Sequence, residues 1–285
     1  MSKLESAFSK ALREQGFSET TLRKEVDSSV TSADVNQSER GKGVLAKSSN
    51  KLKDIVSSRS QISNMVHREL LTDEQLAAKR LVYPKMKDKK LLTLYRNLRI
   101  KLLAISGSKN FTTMVTSVVP GGGSSLIAAN IAATFAFDEG KTSLLIEGNV
   151  HSPSLAKLFG LPDESKGLME CIESDRLAVN DILYETGIPR LRFIPGGKAR
   201  ENSAEYFASG KMSQTFKEIA EKYPERYPII DAPSVNDSAD ARILVDLSDF
   251  VVLVIPYGLC TEEEVKNAAK AIGKNKLVGV VLNQF

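Results

Sequence analysis

Thr112-Thr-Met-Val-Thr-Ser-Val-Val-Pro-Gly-Gly-Gly-Ser-Ser125, followed by the small-residue run Leu126–Phe137, is the stretch that decides the fold. A short β-rich segment, a proline, three glycines and a helix-forming run predict a strand, a tight loop and a helix. Glycine amides turned toward a helix N-terminus make an anion cradle, because backbone N–H groups and the helix dipole both favour phosphate. The pattern G-x-x-x-x-G-K-[ST] closes such a loop with a lysine for the phosphates and a hydroxyl for Mg²⁺. In Ser117-Val-Val-Pro-Gly-Gly-Gly-Ser-Ser125 the final glycine aligns as Gly123 and the hydroxyl as Ser125, but the lysine position holds Ser124. Taken alone, the loop reads as a plain glycine turn.

Outward from the loop, Ser143-Leu-Leu-Ile-Glu147, Tyr227-Pro-Ile-Ile-Asp231, Phe250-Val-Val-Leu-Val-Ile255 and Val278-Gly-Val-Val-Leu282 read as buried strands separated by helical segments. On the upstream side Leu91, Leu94, Tyr95, Leu98 and Leu102 form one helical stripe, leaving Arg96 and Arg99 on a more polar side. Near-continuous apolar strands alternating with helices imply an α/β fold, a doubly wound, mostly parallel sheet covered on both faces.

The first ninety residues follow a different pattern. Leu4, Ala7, Phe8, Ala11 and Leu12 recur at helical spacing and Gly16 stops the run, so residues 1–27 are expected to hold a short amphipathic helix. Its apolar face either docks on a partner or membrane surface or folds back. Ser28–Asn50 has almost no large apolar residue, and periodicity returns only weakly from Leu52 to Leu71, so 28–70 is expected to be a flexible linker with weak helix. Thr72 with Gln75 three residues on predicts a capped helix start, and 71–285 is the expected main domain.

Composition narrows the classes. Hydrophobic residues make up 42% of the 285, enough for a sizeable core, and the net charge of +4 is too mild to call for nucleic acid. Cys171 and Cys260 lack metal-ligand spacing and read as reduced core thiols of a cytoplasmic protein. No run approaches the length that spans a bilayer, and the N-terminus lacks a signal-peptide core, so a membrane link would come through a partner or a peripheral helix.

Four further segments fall in the order and spacing of one family. Arg96-Asn-Leu-Arg99-Ile-Lys-Leu, Leu144-Leu-Ile-Glu-Gly-Asn-Val-His-Ser-Pro153, Tyr227-Pro-Ile-Ile-Asp-Ala-Pro233 and Val278-Gly-Val-Val-Leu-Asn283 accompany the glycine loop. Together they resemble the bacterial tyrosine autokinases of capsule and exopolysaccharide synthesis, deviant-Walker proteins of the P-loop NTPase type related to septum-site and partition ATPases. The resemblance covers roughly residues 70 to 285, with a weaker match of the first dozen residues to a short N-terminal helix of related autokinases.

That resemblance implies ATP or ADP with Mg²⁺ as cofactors. It implies Gly121, Gly122, Gly123, Ser124 and Ser125 around phosphate, Ser125 and Asp231 on Mg²⁺, and Asn283 on adenine. Glu147, Asn149 and Asp231 fall on its catalytic positions. It also implies a transmembrane chain-length or export partner for polysaccharide, a cytoplasmic place at the inner membrane through that partner, and homo-oligomers through Arg96 and Arg99. The departures strike the chemistry itself. Ser124 replaces the lysine, Glu147 and Asn149 replace two aspartates, His151 replaces an arginine, and Thr93 replaces the glutamate of an E-x-x-R-x-x-R helix. The sequence ends at Phe285 without a tyrosine-rich tail.

Loss of one preorganised charged contact costs ~2–4 kcal/mol of transition-state stabilisation. An amide at 149 cannot accept a proton as a carboxylate does. The expectation is therefore a pseudo-kinase that serves as an assembly or regulatory subunit, with nucleotide bound weakly or not at all. One alternative is an active autokinase or ATPase whose charge comes from Lys141 or a neighbouring subunit. Another is a partition-type ATPase, although Val119 and Pro120 stand where that group carries its early lysine.

Overall fold

A computed structural model describes residues 70–107, 110–222 and 225–284. The amphipathic helix expected in 1–27 and nearly all of the 28–70 linker lie outside them. The chain runs α1 (Asp73–Ala78), α2 (Lys89–Ser106), β1 (Thr113–Ser117), α3 (Ser124–Ala136), β2 (Thr142–Glu147), α4 (Leu155–Leu158) and α5 (Leu168–Glu173). It continues through β3 (Tyr184–Glu185), β4 (Leu191–Ile194), α6 (Ser203–Phe207), α7 (Gly210–Lys222), β5 (Arg226–Asp231), α8 (Ala239–Asp246), β6 (Phe250–Pro256), α9 (Glu262–Ile272) and β7 (Leu277–Asn283).

The strands form one seven-stranded sheet in the order β3-β4-β2-β5-β1-β6-β7. Every pairing is parallel except that of β3 with β4 at one edge. The apolar runs explain why. Alternate residues of a strand face opposite sides, and here both sets are buried. Val115, Leu145, Ile229 and Val252 pack into the layer built around α2 and α3. Their neighbours Met114, Leu144, Ile230 and Val251 are equally buried on the other face. The doubly wound sheet expected from the sequence is the one observed. Strand β4 was not expected, because Leu191-Arg-Phe-Ile is too short and too charged to stand out as an apolar run.

Thr72 and Gln75 form the predicted capping box of α1. Helix α2 differs from expectation. Leu92 and Leu102 are its buried residues, whereas Leu94 is 66% exposed and Leu91 37%. The packed face runs through Leu92, Tyr95, Leu98, Arg99 and Leu102, so Tyr95, Leu98 and Leu102 of the predicted stripe pack and Leu91 and Leu94 do not. Arg99 is therefore not on the polar side. Its Nη1 donates to the carbonyl of Thr134 near the C-terminal end of α3 at 3.0 Å, a cation meeting the negative end of a helix dipole.

Phe111, Phe135, Tyr227 and Phe250 cluster with ring centroids 4.8–5.9 Å apart where β1, β5 and β6 begin. The N-terminal edge of the sheet is thus closed by aromatic packing, and the polar loops gather at the opposite, C-terminal edge.

Candidate functional site

At that edge the glycine loop joins β1 to α3. Gly121 and Gly123 take φ of 73° and 85°, a region that costs a side chain strain. Gly122 is required for space, since a Cβ there would lie 2.8 Å from Cβ of Ser117. Ser117 Oγ donates to the carbonyl of Val119 at 2.6 Å and tightens the turn. Gly123 is the N-cap of α3 and brings no side-chain cap. The first-turn amides of α3 therefore remain available to an anion. Ser124 and Ser125 open the helix, and both line a cleft of about 870 Å³.

Asp231 ends β5 beside this loop. Its residue is 1% exposed, and neither carboxylate oxygen has a hydrogen-bond partner. Burial pushes its carboxyl up to about 7, the Glu147 carboxylate adds to the rise, and the Ser125 and Ser124 hydroxyls oppose it. Those hydroxyls lie close enough to favour the ionised form, yet neither completes a bond of acceptable geometry. A bare buried carboxylate next to a serine hydroxyl is a hard-oxygen donor pair of the kind Mg²⁺ takes. The residues at this position fit the metal.

Glu147 does something else. Fully buried at the end of β2, it accepts the amides of Ser154 and Leu155 on Oε1, both at 2.7 Å, and that of Gly196 on Oε2 at 3.1 Å. Both oxygens are thus spent on holding the start of α4 and the turn after β4, and Glu147 is absent from the cleft wall. Asn149 does line the cleft, two residues further on. Asn283 is also tied down. Its Nδ2 donates to the carbonyl of Gly122 at 3.0 Å, so the amide braces the glycine loop. Of the residues singled out in the sequence, Gly121 to Ser125 and Asn149 share the cleft wall, and Asp231 lies against Ser124 and Ser125. Arg96 is an exposed residue of α2, and Arg99 is held within the chain.

Two residues that no motif flagged complete the wall. His151 Nε2 lies 2.7 Å from Ser203 Oγ, and that hydroxyl donates to Asp240 Oδ2 at 2.7 Å. Because the single hydroxyl hydrogen goes to the carboxylate, His151 presents Nε2–H to Ser203, which sets its tautomer. A serine that donates to an aspartate and accepts from a histidine is braced, not activated as a nucleophile. Sequence reading missed Ser203 and Asp240 because 52 and 37 residues separate the members of the chain of bonds, with no local spacing to mark them.

The charge of the wall is one-sided. Among the described residues Glu201, Glu205, Asp237 and Asp240 line the cleft, and no lysine or arginine does. Arg200 is adjacent in sequence but turned away, with Nε and Nη2 each donating to Glu173 at 2.6 Å. Lys141 sits at the other edge of the sheet, its Nζ 5.5 Å from the centroid of the Tyr227 ring. That places it roughly 20 Å along β2 from Glu147, so it is no substitute for the missing loop lysine.

No protein-family model matches the chain. It is 30% identical over 194 residues to the putative tyrosine-protein kinase CapB of Staphylococcus aureus, covering 67% of this chain and 83% of that one. It is also 30% identical over 192 residues to the tyrosine-protein kinase YwqD of Bacillus subtilis, with 66% and 79% covered. Among solved structures, the chimerical protein CapA2B2 superposes with a TM-score of 0.64 at 26% identity, over 80% of this chain and 97% of that one. The BceF tyrosine kinase domain gives 0.60 at 26% identity, over 74% and 90%. At 30% identity over two thirds of its length, the chain belongs to the bacterial tyrosine-protein kinase family of capsule and exopolysaccharide biosynthesis.

Proposed function

We propose that this protein is a degenerate member of its family that works as an assembly or regulatory subunit for a transmembrane polysaccharide chain-length or export protein. It would stand at the cytoplasmic side of the inner membrane through that partner. The observation that carries this reading is the cleft's electrostatics. Where a kinase needs positive charge around transferring phosphate, this cleft offers Ser124 and four wall carboxylates, with Asp231 buried against Ser124. A triphosphate entering here meets like charge in a setting where screening is weak.

The anion-facing parts are retained. Amides of Gly121 to Ser125 would hold phosphate oxygens, and Ser125 with Asp231 would hold Mg²⁺. When bound, the metal would offset part of the phosphate charge. Nucleotide binding is therefore weak and steeply Mg²⁺-dependent. Catalysis fails at further points, since Asn149 cannot take a proton from an attacking hydroxyl and Glu147 has both oxygens committed to amides. No lysine or arginine among the described residues reaches the cleft, which weakens the reading of an active kinase with a relocated cation. Incubation with Mg·ATP followed by phosphotyrosine detection tests the proposal. Negligible signal is expected, and a strong one mapping to Tyr206, Tyr223 or Tyr257 would overturn it.

A further inference from the structure

We infer that the outer face of α2, together with the lysines that lead into it, is a docking surface for a bilayer that carries anionic lipid. The contact needs neither nucleotide nor a polysaccharide partner, so it goes beyond the function proposed above.

The first observation is the distribution of charge. Nine lysines and arginines fall between Lys79 and Lys101, with Asp88 the single carboxylate among them. That stretch carries +8 while the whole chain carries +4, so the rest of the sequence sums to −4. A mild net charge thus hides one strongly basic element. Lys85, Lys87, Lys89, Lys90, Arg96 and Lys101 are all exposed. Among the described residues none of these six meets a carboxylate at ion-pair distance.

The second observation is apolar and lies on the same helix. Leu94, Ile100 and Ile105 are each more than half exposed, although α2 already has a packed face through Leu92, Tyr95 and Leu102 on its other side. Lys90, Leu94, Asn97, Lys101 and Ile105 follow one another at spacings of three and four, which sets them in one outward row. Large apolar side chains interleaved with lysines suit the boundary of a bilayer. There the apolar groups enter the acyl edge while the ammonium groups stay level with lipid phosphate. Free phosphate or nucleic acid would pair with the cations but leave the leucine and isoleucine in water. A second copy laid face to face on this helix would meet like charge, because Lys89–Ser106 contains no aspartate or glutamate.

The test is co-sedimentation of the full chain with vesicles at physiological ionic strength. Wild type should bind vesicles of phosphatidylcholine mixed with phosphatidylglycerol, ignore phosphatidylcholine alone, and be released by high salt. Lys87→Gln, Lys90→Gln and Lys101→Gln together should weaken binding at least about tenfold. Lys157→Gln, Lys166→Gln and Lys274→Gln make the same change of net charge elsewhere on the surface and should leave binding within about twofold of wild type. Leu94→Gln with Ile105→Gln keeps every charge and should weaken binding at least about threefold. All of these side chains are exposed, so equal thermal melting verifies that the fold is unchanged. No binding to the mixed vesicles, or equal binding to both kinds, would overturn the inference. Equal loss in the two lysine triples would do the same, because net charge alone would then explain the attraction. Undiminished binding by the α2 lysine variant, or by the Leu94 and Ile105 variant, would place the contact elsewhere in the chain and overturn it too. Sedimentation velocity of the protein alone covers a second copy as the occupant. Self-association lost on Leu94→Gln with Ile105→Gln would assign the face to that copy instead of lipid.

Discussion

Glu147 and Asp231 stand side by side in register on β2 and β5, both buried, yet one carboxylate accepts three amide hydrogens and the other accepts none. Their difference divides the edge of the sheet into a part that holds the fold and a part whose buried carboxylate is unbonded. The fully bonded Glu147 also raises the cost of charge on its neighbour, adding to the effect of burial.

Truncating the bonded member should damage the fold first. Glu147→Ala leaves the amides of Ser154, Leu155 and Gly196 buried without an acceptor, and a loss of about 3 kcal/mol is expected. Urea denaturation measures it. Glu147→Gln should also be destabilising, because one amide-bearing atom can no longer accept. A stability equal to wild type for both would show that these bonds contribute nothing.

The unbonded member should make stability depend on pH. Its carboxyl lies at about 7 in the fold against an ordinary value of 3.8, so the folded state binds a proton more readily than the unfolded chain. This contribution is fully present below pH 3.8, fades as pH rises toward 7 and is gone above it. Asp231→Asn should therefore be more stable than wild type at pH 8, by at most about 4 kcal/mol, and the gap should close as pH falls toward 4. Denaturation at a series of pH values reads both the size and the sign. A gap that is flat with pH would assign the difference to packing.

Restoring the lysine addresses the cradle. Ser124→Lys should contact the phosphates and tighten Mg·ATP binding by about one to two orders of magnitude, given ~1.5–3 kcal/mol for a charge-assisted contact. It should return little kinase activity while Asn149 remains. Calorimetric titration of Mg·ATP into both forms, with a parallel phosphotyrosine assay, separates binding from chemistry.

Asn283 offers a way to loosen the loop without touching its residues. Asn283→Ala removes the donor to the Gly122 carbonyl at a cost of about 1 kcal/mol. Faster amide hydrogen exchange over residues 121–125, with little change elsewhere, is the expected result. Unchanged exchange there would mean that Gly121 to Gly123 hold their shape by backbone preference alone.

Local pattern and composition were sufficient for the architecture. Runs such as Tyr227–Asp231 and Phe250–Ile255 can only be strands buried on both faces, and the glycines at 121–123 can only sit where a chain turns sharply into a helix. The missing lysine at 124 was equally legible, because it is a vacancy in a linear motif. What needed the tertiary structure was every question of partnership. Glu147, Asn283 and Arg99 each look like ligand-facing or surface groups in the linear pattern. In the fold, each is engaged by backbone groups outside its own element, at Ser154, Leu155 and Gly196, at Gly122, and at Thr134. The acidic wall was invisible for the same reason. Glu201, Glu205, Asp237 and Asp240 converge with the loop only because parallel strands carry their following segments to one edge of the sheet. Hydrogen bonds and like-charge clustering depend on distances of a few ångströms, and between residues far apart in the chain only the tertiary fold sets those distances.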